Sequence, residues 1–146
     1  MALEREHKYL VKDCGYRIMA NERVMICQGY LCREPERTVR VRTWNNQGYI
    51  TVKGLTKDDT REEYEYEIPY NDALKILKLC QGDVLEKCRY IVWYKGHRWE
   101  VDEFHGRKEG LCLAEIELSA TEVTYELPPF VGENVTGNPS YYNSNL

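Results

Sequence analysis

The sequence predicts a mainly β fold of the α+β class, on three observations. Apolar and charged residues alternate with period two through most of the 146 residues, the repeat of strands with one covered face. Asn46-Gln47-Gly48 and Lys95-Gly96-His97 supply turn residues between neighbouring alternating runs, so each flanking pair reads as a hairpin. Aromatic and β-branched residues crowd the same runs, tyrosine alone occurring 12 times, which suits a pleated surface. A chain of this length fits one domain, 1–146, and can bury a core.

In chain order the alternation marks strands at 3–11, 24–31, 38–43, 49–53, 62–68, 86–94, 98–104 and 111–118. Between the fifth and sixth, Pro69-Tyr70-Asn71 ends a strand and Asn71 can cap a helix. Ala73, Ile76, Leu77 and Cys80 then recur at helical spacing before Gly82. A weaker helix or irregular stretch falls at 12–22. After Pro128-Pro129 the composition turns to Asn, Gly, Pro and Ser, so the tail from Gly132 is expected to be irregular.

Lys+Arg 20 against Asp+Glu 24 gives a net charge of −4 and a pI ≈ 5.5. Nucleic-acid and membrane-surface binders usually show a basic excess, so neither partner is expected. No apolar run approaches the ~18 residues of a membrane-spanning helix. Cys14, Cys27, Cys32, Cys80, Cys88 and Cys112 lack zinc spacing, and the first residues are charged rather than a secretory leader. They are expected as reduced thiols in a cytoplasmic protein, with the sequon Asn134-Val135-Thr136 idle.

Successive side chains of a strand point to opposite faces, so parity shows which residues are neighbours. Glu4, Glu6 and Lys8 share a face of the first strand, and Arg40 and Arg42 share one backed by Val39 and Val41. Thr51 and Lys53 are backed by Ile50 and Val52; Glu63, Glu65 and Glu67 alternate with Tyr64, Tyr66 and Ile68. Lys87 and Arg89 are backed by Cys88 and Tyr90, and Glu100 and Asp102 alternate with Trp99 and Val101. Glu115 and Glu117 alternate with Ala114, Ile116 and Leu118. Parity alone does not say whether this ionised face meets water, the ordinary arrangement, or lines an interior.

The sorting of sign favours a function. Some strands are purely basic on that face and others purely acidic, whereas solubility alone favours mixed signs. A like-charged pair at ~4 Å and an effective dielectric near ~20 costs on the order of 4 kcal/mol. Basic pairs suit the oxygens of a phosphate chain, arginine bidentately. Clustered carboxylates suit hard divalent cations, which offset their repulsion. Together these are the equipment of phosphoryl transfer to water. His7, His97 and His105 have no Ser or Cys partner at a telling spacing. His7 is expected to face away from the ionised side and His97 to be solvated in its turn. There is no P-loop and no glycine-rich dinucleotide fingerprint.

Glu4-Arg5-Glu6-His7-Lys8 forms an E-x-E-x-K motif that resembles the opening of the CYTH superfamily, the triphosphate tunnel metalloenzymes. The resemblance continues through Gln28-Gly29-Tyr30-Leu31, Arg40-Val41-Arg42, Thr51-Val52-Lys53-Gly54 and Glu63-Tyr64-Glu65. It carries on in Glu86-Lys87-Cys88-Arg89-Tyr90, Val101-Asp102 with Phe104 and Gly106, and Ala114-Glu115-Ile116-Glu117. An ordered series over nearly the whole chain is far more specific than a lone E-x-E-x-K. It implies an eight-stranded antiparallel β-barrel enclosing a charged tunnel, with a few helices packed outside and the ionised faces turned inward. Family members hydrolyse inorganic tripolyphosphate, thiamine triphosphate or RNA 5′-triphosphates, or cyclise ATP to cyclic AMP. Compact bacterial inorganic triphosphatases are the most similar, which implies metal-dependent hydrolysis of a phosphoanhydride bond. Adenylate cyclase and thiamine triphosphatase are the rival activities, and a non-catalytic polyphosphate or nucleotide sensor is the alternative outside enzymes.

Carried over position by position, Lys8, Arg40, Arg42, Lys53, Lys87 and Arg89 match phosphate ligands of that family, and Tyr30 a tunnel tyrosine. Glu4, Glu6, Glu115 and Glu117 match carboxylates that hold Mg²⁺ or Mn²⁺, with Glu63, Glu65 and Asp102 as further members. Glu4, Glu6, Lys87 and Glu117 are the residues implied in catalysis, Lys87 by proton transfer. The tail departs from the pattern: Asn134 replaces a Glu, and Asn138 and Ser140 stand where relatives carry Asp and Arg. If the tail closes one tunnel end, closure is expected to be looser here. The expected partner is a small-molecule triphosphate, bound by a monomer or homodimer.

Overall fold

The computed structural model describes residues 3–122 and 124–146, and every alternating run of the sequence is a strand in it. These are β1 (Leu3–Val11), β2 (Glu22–Cys32), β3 (Arg37–Trp44), β4 (Gln47–Gly54), β5 (Thr60–Ile68), β6 (Gln81–Tyr94), β7 (His97–His105) and β8 (Cys112–Glu117). Neighbours are antiparallel in the order β5-β4-β3-β2-β6-β7-β8-β1. β1 closes the ring, since its residues 3–5 pair with β5 and its residues 6–10 with β8. The result is an eight-stranded antiparallel barrel, whose closure pairs strand edges that would otherwise be open.

The β3–β4 turn falls one residue earlier than predicted, on Asn45-Asn46, because Asn45 takes the left-handed conformation (φ 52°) that asparagine tolerates. Helix α1 (Tyr16–Met19) is a single turn whose Tyr16 packs edge-on against Tyr90 and Phe130. Helix α2 (Tyr70–Leu77) buries Ala73 and Leu77 on the outside of the barrel, beside Val41. It starts directly after Pro69 without a side-chain cap, so Asn71 lies within its first turn instead of capping it. Two glycines allow this close approach. A Cβ on Gly48 would lie 2.7 Å from the Ala73 Cβ, and one on Gly29 2.8 Å from the Cys80 Sγ.

The composition from Gly132 onward suggests an irregular tail, but the tail is not wholly irregular. Val131–Asn134 form a ninth strand, β9, on the side of β1 that β5 leaves free, and 3-10 turns follow at Pro139–Tyr141 and Asn143–Asn145. The Val135 amide donates to the Lys8 carbonyl, the Lys8 amide donates to Thr136 Oγ1, and Leu146 is buried with Leu85, Phe104 and Leu113. Asn134 and Asn138 each accept a bond from a backbone amide two residues on, so the departed positions build the turns. This order rests on local bonds and one apolar anchor, neither of which leaves a periodic signal.

The main apolar core lies outside the wall. Tyr9, Tyr90, Val92, Trp99, Val101 and Ile116 point outward and are covered by Tyr16, Phe130 and Val131. Full burial of such a side chain is worth roughly 1.5–3 kcal/mol. The inner face of β6 changes character along the strand, reading Leu85, Lys87, Arg89, Ile91, all buried. On this strand apolar residues therefore flank a charged middle. All six cysteines are free thiols, and no helix of the described residues is long and apolar enough to cross a membrane.

Candidate active site

The strand register sets cations against carboxylates around the middle of the barrel. Lys53 Nζ lies 3.1 Å from Glu4 Oε1 and 3.2 Å from Glu63 Oε2, its register partner on β5. Glu65 Oε1 accepts from Arg42 at 3.0 Å and Thr51 at 2.9 Å, with Arg40 at 3.5 Å. Lys8 Nζ is 3.3 Å from Glu115 Oε1. Arg89 donates through Nε to Asp102 Oδ1 at 2.8 Å and through Nη2 to Oδ2 at 3.0 Å, while Lys87 Nζ is 2.8 Å from that Oδ2.

The tunnel has two adjoining spaces, both lined by Glu4, Glu6, Arg40, Lys53, Arg89 and Glu115. The wider, about 310 Å³, adds Arg42, Glu63, Glu65 and Glu117 and opens past Trp44 and Tyr49. The narrower, about 90 Å³, adds Lys8, Tyr30 and Lys87 and ends at the tail. Every phosphate ligand expected from the sequence thus lines the tunnel, as do six of the seven expected metal carboxylates. Asp102 is the exception. It is 1% exposed and both its oxygens are taken by Arg89 and Lys87, so it tethers two cations instead of offering a free ligand.

Crowding of like charge shifts the titration of these groups. Burial, then Glu115 and Glu4, push the Glu6 carboxyl well above the ordinary carboxylate range. Burial and a hydrogen bond with Glu4 raise Glu63 to about 7, and burial, Glu4 and Glu100 raise Glu117. Burial acts on Glu115 as well, but Lys8, Arg89 and Lys87 outweigh it and hold that carboxyl far down. Burial, joined by the charge of Arg89, lowers Lys87 to about 7 despite Asp102. Burial and the charges of Arg40 and Arg89 lower Arg42 to about 10.

Two features show what would fit here. Arg40 Nε and Arg42 Nε are buried donors without a hydrogen-bond partner, which an anion would satisfy. Glu6, Glu63 and Glu117 are oxygen donors with raised pKa, from which a divalent cation would displace protons. Among the described residues no three His, Cys, Asp or Glu side chains already converge as around an ion. The donor set nonetheless fits a hard cation, and the Lys53 ammonium already sits between Glu4 and Glu63.

The tail closes the narrow end. The Tyr141 carbonyl accepts from Lys8 Nζ at 2.9 Å, and Asn143 Oδ1 accepts from Lys87 Nζ and Gln28 Nε2, each at 3.0 Å. Arg33 donates to the Ser144 carbonyl while its guanidinium lies 5.0 Å over the Tyr30 ring. Closure is therefore held by several direct bonds.

Several tunnel residues were missed from sequence. Arg98 and Glu100 line the wider space and share the parity of Asp102 inside the predicted strand 98–104, which places Glu100 on its ionised face but does not single either out as a ligand. Trp44 and Arg61 also line the tunnel spaces, with the parity of Arg42 and Glu63, one residue beyond the predicted strands 38–43 and 62–68. Asn143 had no such signal. His7 faces away from the tunnel, its ring bonded to the Tyr125 hydroxyl at 2.7 Å and to Asp59 at 2.8 Å. His97 is not merely solvated, since it bonds Glu122 and packs on Tyr125.

The CYTH domain profile matches residues 2–139. An inorganic triphosphatase of Acetivibrio thermocellus is 46% identical over 147 residues, which cover 100% of this chain and 94% of that protein. A solved inorganic triphosphatase superposes with a TM-score of 0.69 at 28% identity, over 99% of this chain and 94% of its own. A Hippeastrum protein with a dominant triphosphatase activity superposes with a TM-score of 0.63 at 14% identity, over 80% of each chain, a likeness of fold alone.

Proposed function

The chain belongs to the CYTH domain family, and on that premise we propose that it is a divalent-metal-dependent triphosphatase acting on inorganic tripolyphosphate. The observation that carries this reading is the set of six cations on the tunnel wall, Lys8, Arg40, Arg42, Lys53, Lys87 and Arg89, five of them buried. Desolvating that many bases is costly, and a polyanion threaded among them offsets the cost. The identity with an inorganic triphosphatase supports both the hydrolytic reaction and this substrate.

In this reading Arg40, Arg42, Lys53 and Arg89 hold phosphoryl oxygens along the tunnel and stabilise the charge that builds on them as the bond breaks. Lys8, beside Tyr30 and the tail, holds an oxygen at the narrow end. Lys87, with its pKa near 7, can give a proton from Nζ to the leaving phosphate. Glu65 and Asp102 keep the arginines and Lys87 aimed at the substrate. Glu4, Glu6, Glu63, Glu115 and Glu117 would hold Mg²⁺ or Mn²⁺, which when bound polarises phosphate oxygens and acidifies a water. Attack of water in line on an end phosphorus breaks the phosphoanhydride bond and releases orthophosphate and pyrophosphate. The free thiols support a cytoplasmic location.

The reaction type is tested with ATP, measuring orthophosphate and cyclic AMP in one sample containing Mn²⁺. A triphosphatase releases orthophosphate without cyclic AMP. Cyclic AMP forming faster than orthophosphate would make the chain a cyclase.

A further inference from the structure

We propose that Arg61 is an additional substrate ligand, holding an end phosphate of tripolyphosphate at an opening in the barrel's seam; this rests on the function proposed above. Register sets Arg61 on the tunnel face. It lies opposite Glu4, has the parity of Glu63 and Glu65, and lines the same space as Lys8, Arg40 and Lys53. The seam is short at this point. β5 pairs only with Leu3, Glu4 and Arg5 of β1, the Glu6 amide adds one bond to the Asp59 carbonyl, and β9 joins β1 at Tyr9. Between those pairings the wall consists of Asp58, Asp59 and Arg61 on one side and Thr136 and Gly137 on the other.

Arg61 differs from the six tunnel cations in its partners. Each of those has a carboxylate oxygen within 3.5 Å. Among the described residues Arg61 makes no ion pair within the 4.0 Å that defines one. Its single side-chain hydrogen bond runs from Nη1 to Thr56 Oγ1 at 3.4 Å, and its Nε is buried with no acceptor. Of the two acids at the opening, Asp59 is engaged by Arg5 and His7, each at 2.8 Å. A buried N–H without an acceptor calls for a ligand, and a guanidinium fork matches phosphate oxygens. An end phosphate presents more free oxygens than the central one and so fills the fork better.

A ligand that holds substrate and transition state alike acts on KM rather than kcat. The test is steady-state hydrolysis of tripolyphosphate by wild type, Arg61→Ala and Arg61→Lys, with tripolyphosphate binding by calorimetry in the presence of a chelator. Thermal melting checks that each variant folds. The expected result for Arg61→Ala is a KM raised about tenfold, kcat within about twofold and binding weakened in parallel, with partial recovery in Arg61→Lys. Should Arg61→Ala not fold, Arg61→Gln is measured in its place with the same two readings. Unchanged KM and binding in a folded variant overturn the role of Arg61 and leave the proposed function standing. Wild type that does not cleave tripolyphosphate overturns the function itself.

Discussion

Asp102→Asn removes one negative charge from the barrel interior and keeps the shape of the side chain. The carboxylate is 1% exposed, bonded to Arg89 at 2.8 and 3.0 Å and to Lys87 at 2.8 Å. Removing one partner of a buried ion pair costs about 3–5 kcal/mol. Asparagine retains one acceptor oxygen, and Arg89 keeps Glu100 at 3.2 Å, so the low end applies, about 3 kcal/mol. In a chain of this size that lowers Tm by roughly 6–12 °C. The pH dependence has a definite sign. Burial would raise Asp102, but Arg89 and Lys87 outweigh it and hold it at about 2, against an ordinary value of 3.8. A depressed carboxyl stabilises the fold above its unfolded pKa and loses that contribution as pH falls through its folded one. The difference between wild type and Asp102→Asn should therefore be full near neutrality and shrink below about pH 4. Urea unfolding of both proteins across that range is the assay. A variant within about 0.5 kcal/mol of wild type at neutral pH, the range of an ordinary surface change, would refute the buried tether.

Other consequences are open to simpler assays. Arg42→Ala should raise KM and lower kcat for tripolyphosphate, losing about 10²-fold in kcat/KM, whereas Glu117→Ala should act mainly on kcat; phosphate release under steady state separates the two. Burial and Glu4 place Glu63 at about 7, so below that pH a proton competes with the metal. The Mn²⁺ concentration for half-activation should then rise by up to about tenfold per pH unit, and Glu63→Gln should flatten the dependence. Asn143→Ala frees Lys87 and Gln28 from the tail, and should raise cleavage of ATP relative to tripolyphosphate by roughly tenfold, the scale of one discriminating contact. An unaltered ratio would mean that the tail does not select the substrate.

The β wall was legible because period-two alternation is a direct imprint of the pleat: residues 63–67 alternate Glu with Tyr, and they lie within β5. Parity also sorted Arg40, Arg42, Lys87 and Arg89 onto one face, but it could not say that the face was interior. That choice depends on closure by residues 3–5 of β1, three pairs whose side chains carry no signal of pairing with β5. The engagement of Asp102 by two cations was hidden for a related reason. Its sign and parity match those of Glu115, and only its position directly between Lys87 and Arg89 makes it a tether. Asn143 reaches Lys87 across 56 positions of sequence, from a segment with neither amphipathic period nor charge, so nothing local announced it.

The most direct measurement is phosphate release from tripolyphosphate and from ATP, each with Mg²⁺, with Mn²⁺ and with EDTA. The account predicts rapid cleavage of tripolyphosphate that needs either metal, stops in EDTA and outpaces the cleavage of ATP. Cleavage undiminished by EDTA, or no cleavage by a protein that still binds tripolyphosphate, would contradict it; the second result would make the tunnel a binding site for polyphosphate rather than a site of hydrolysis.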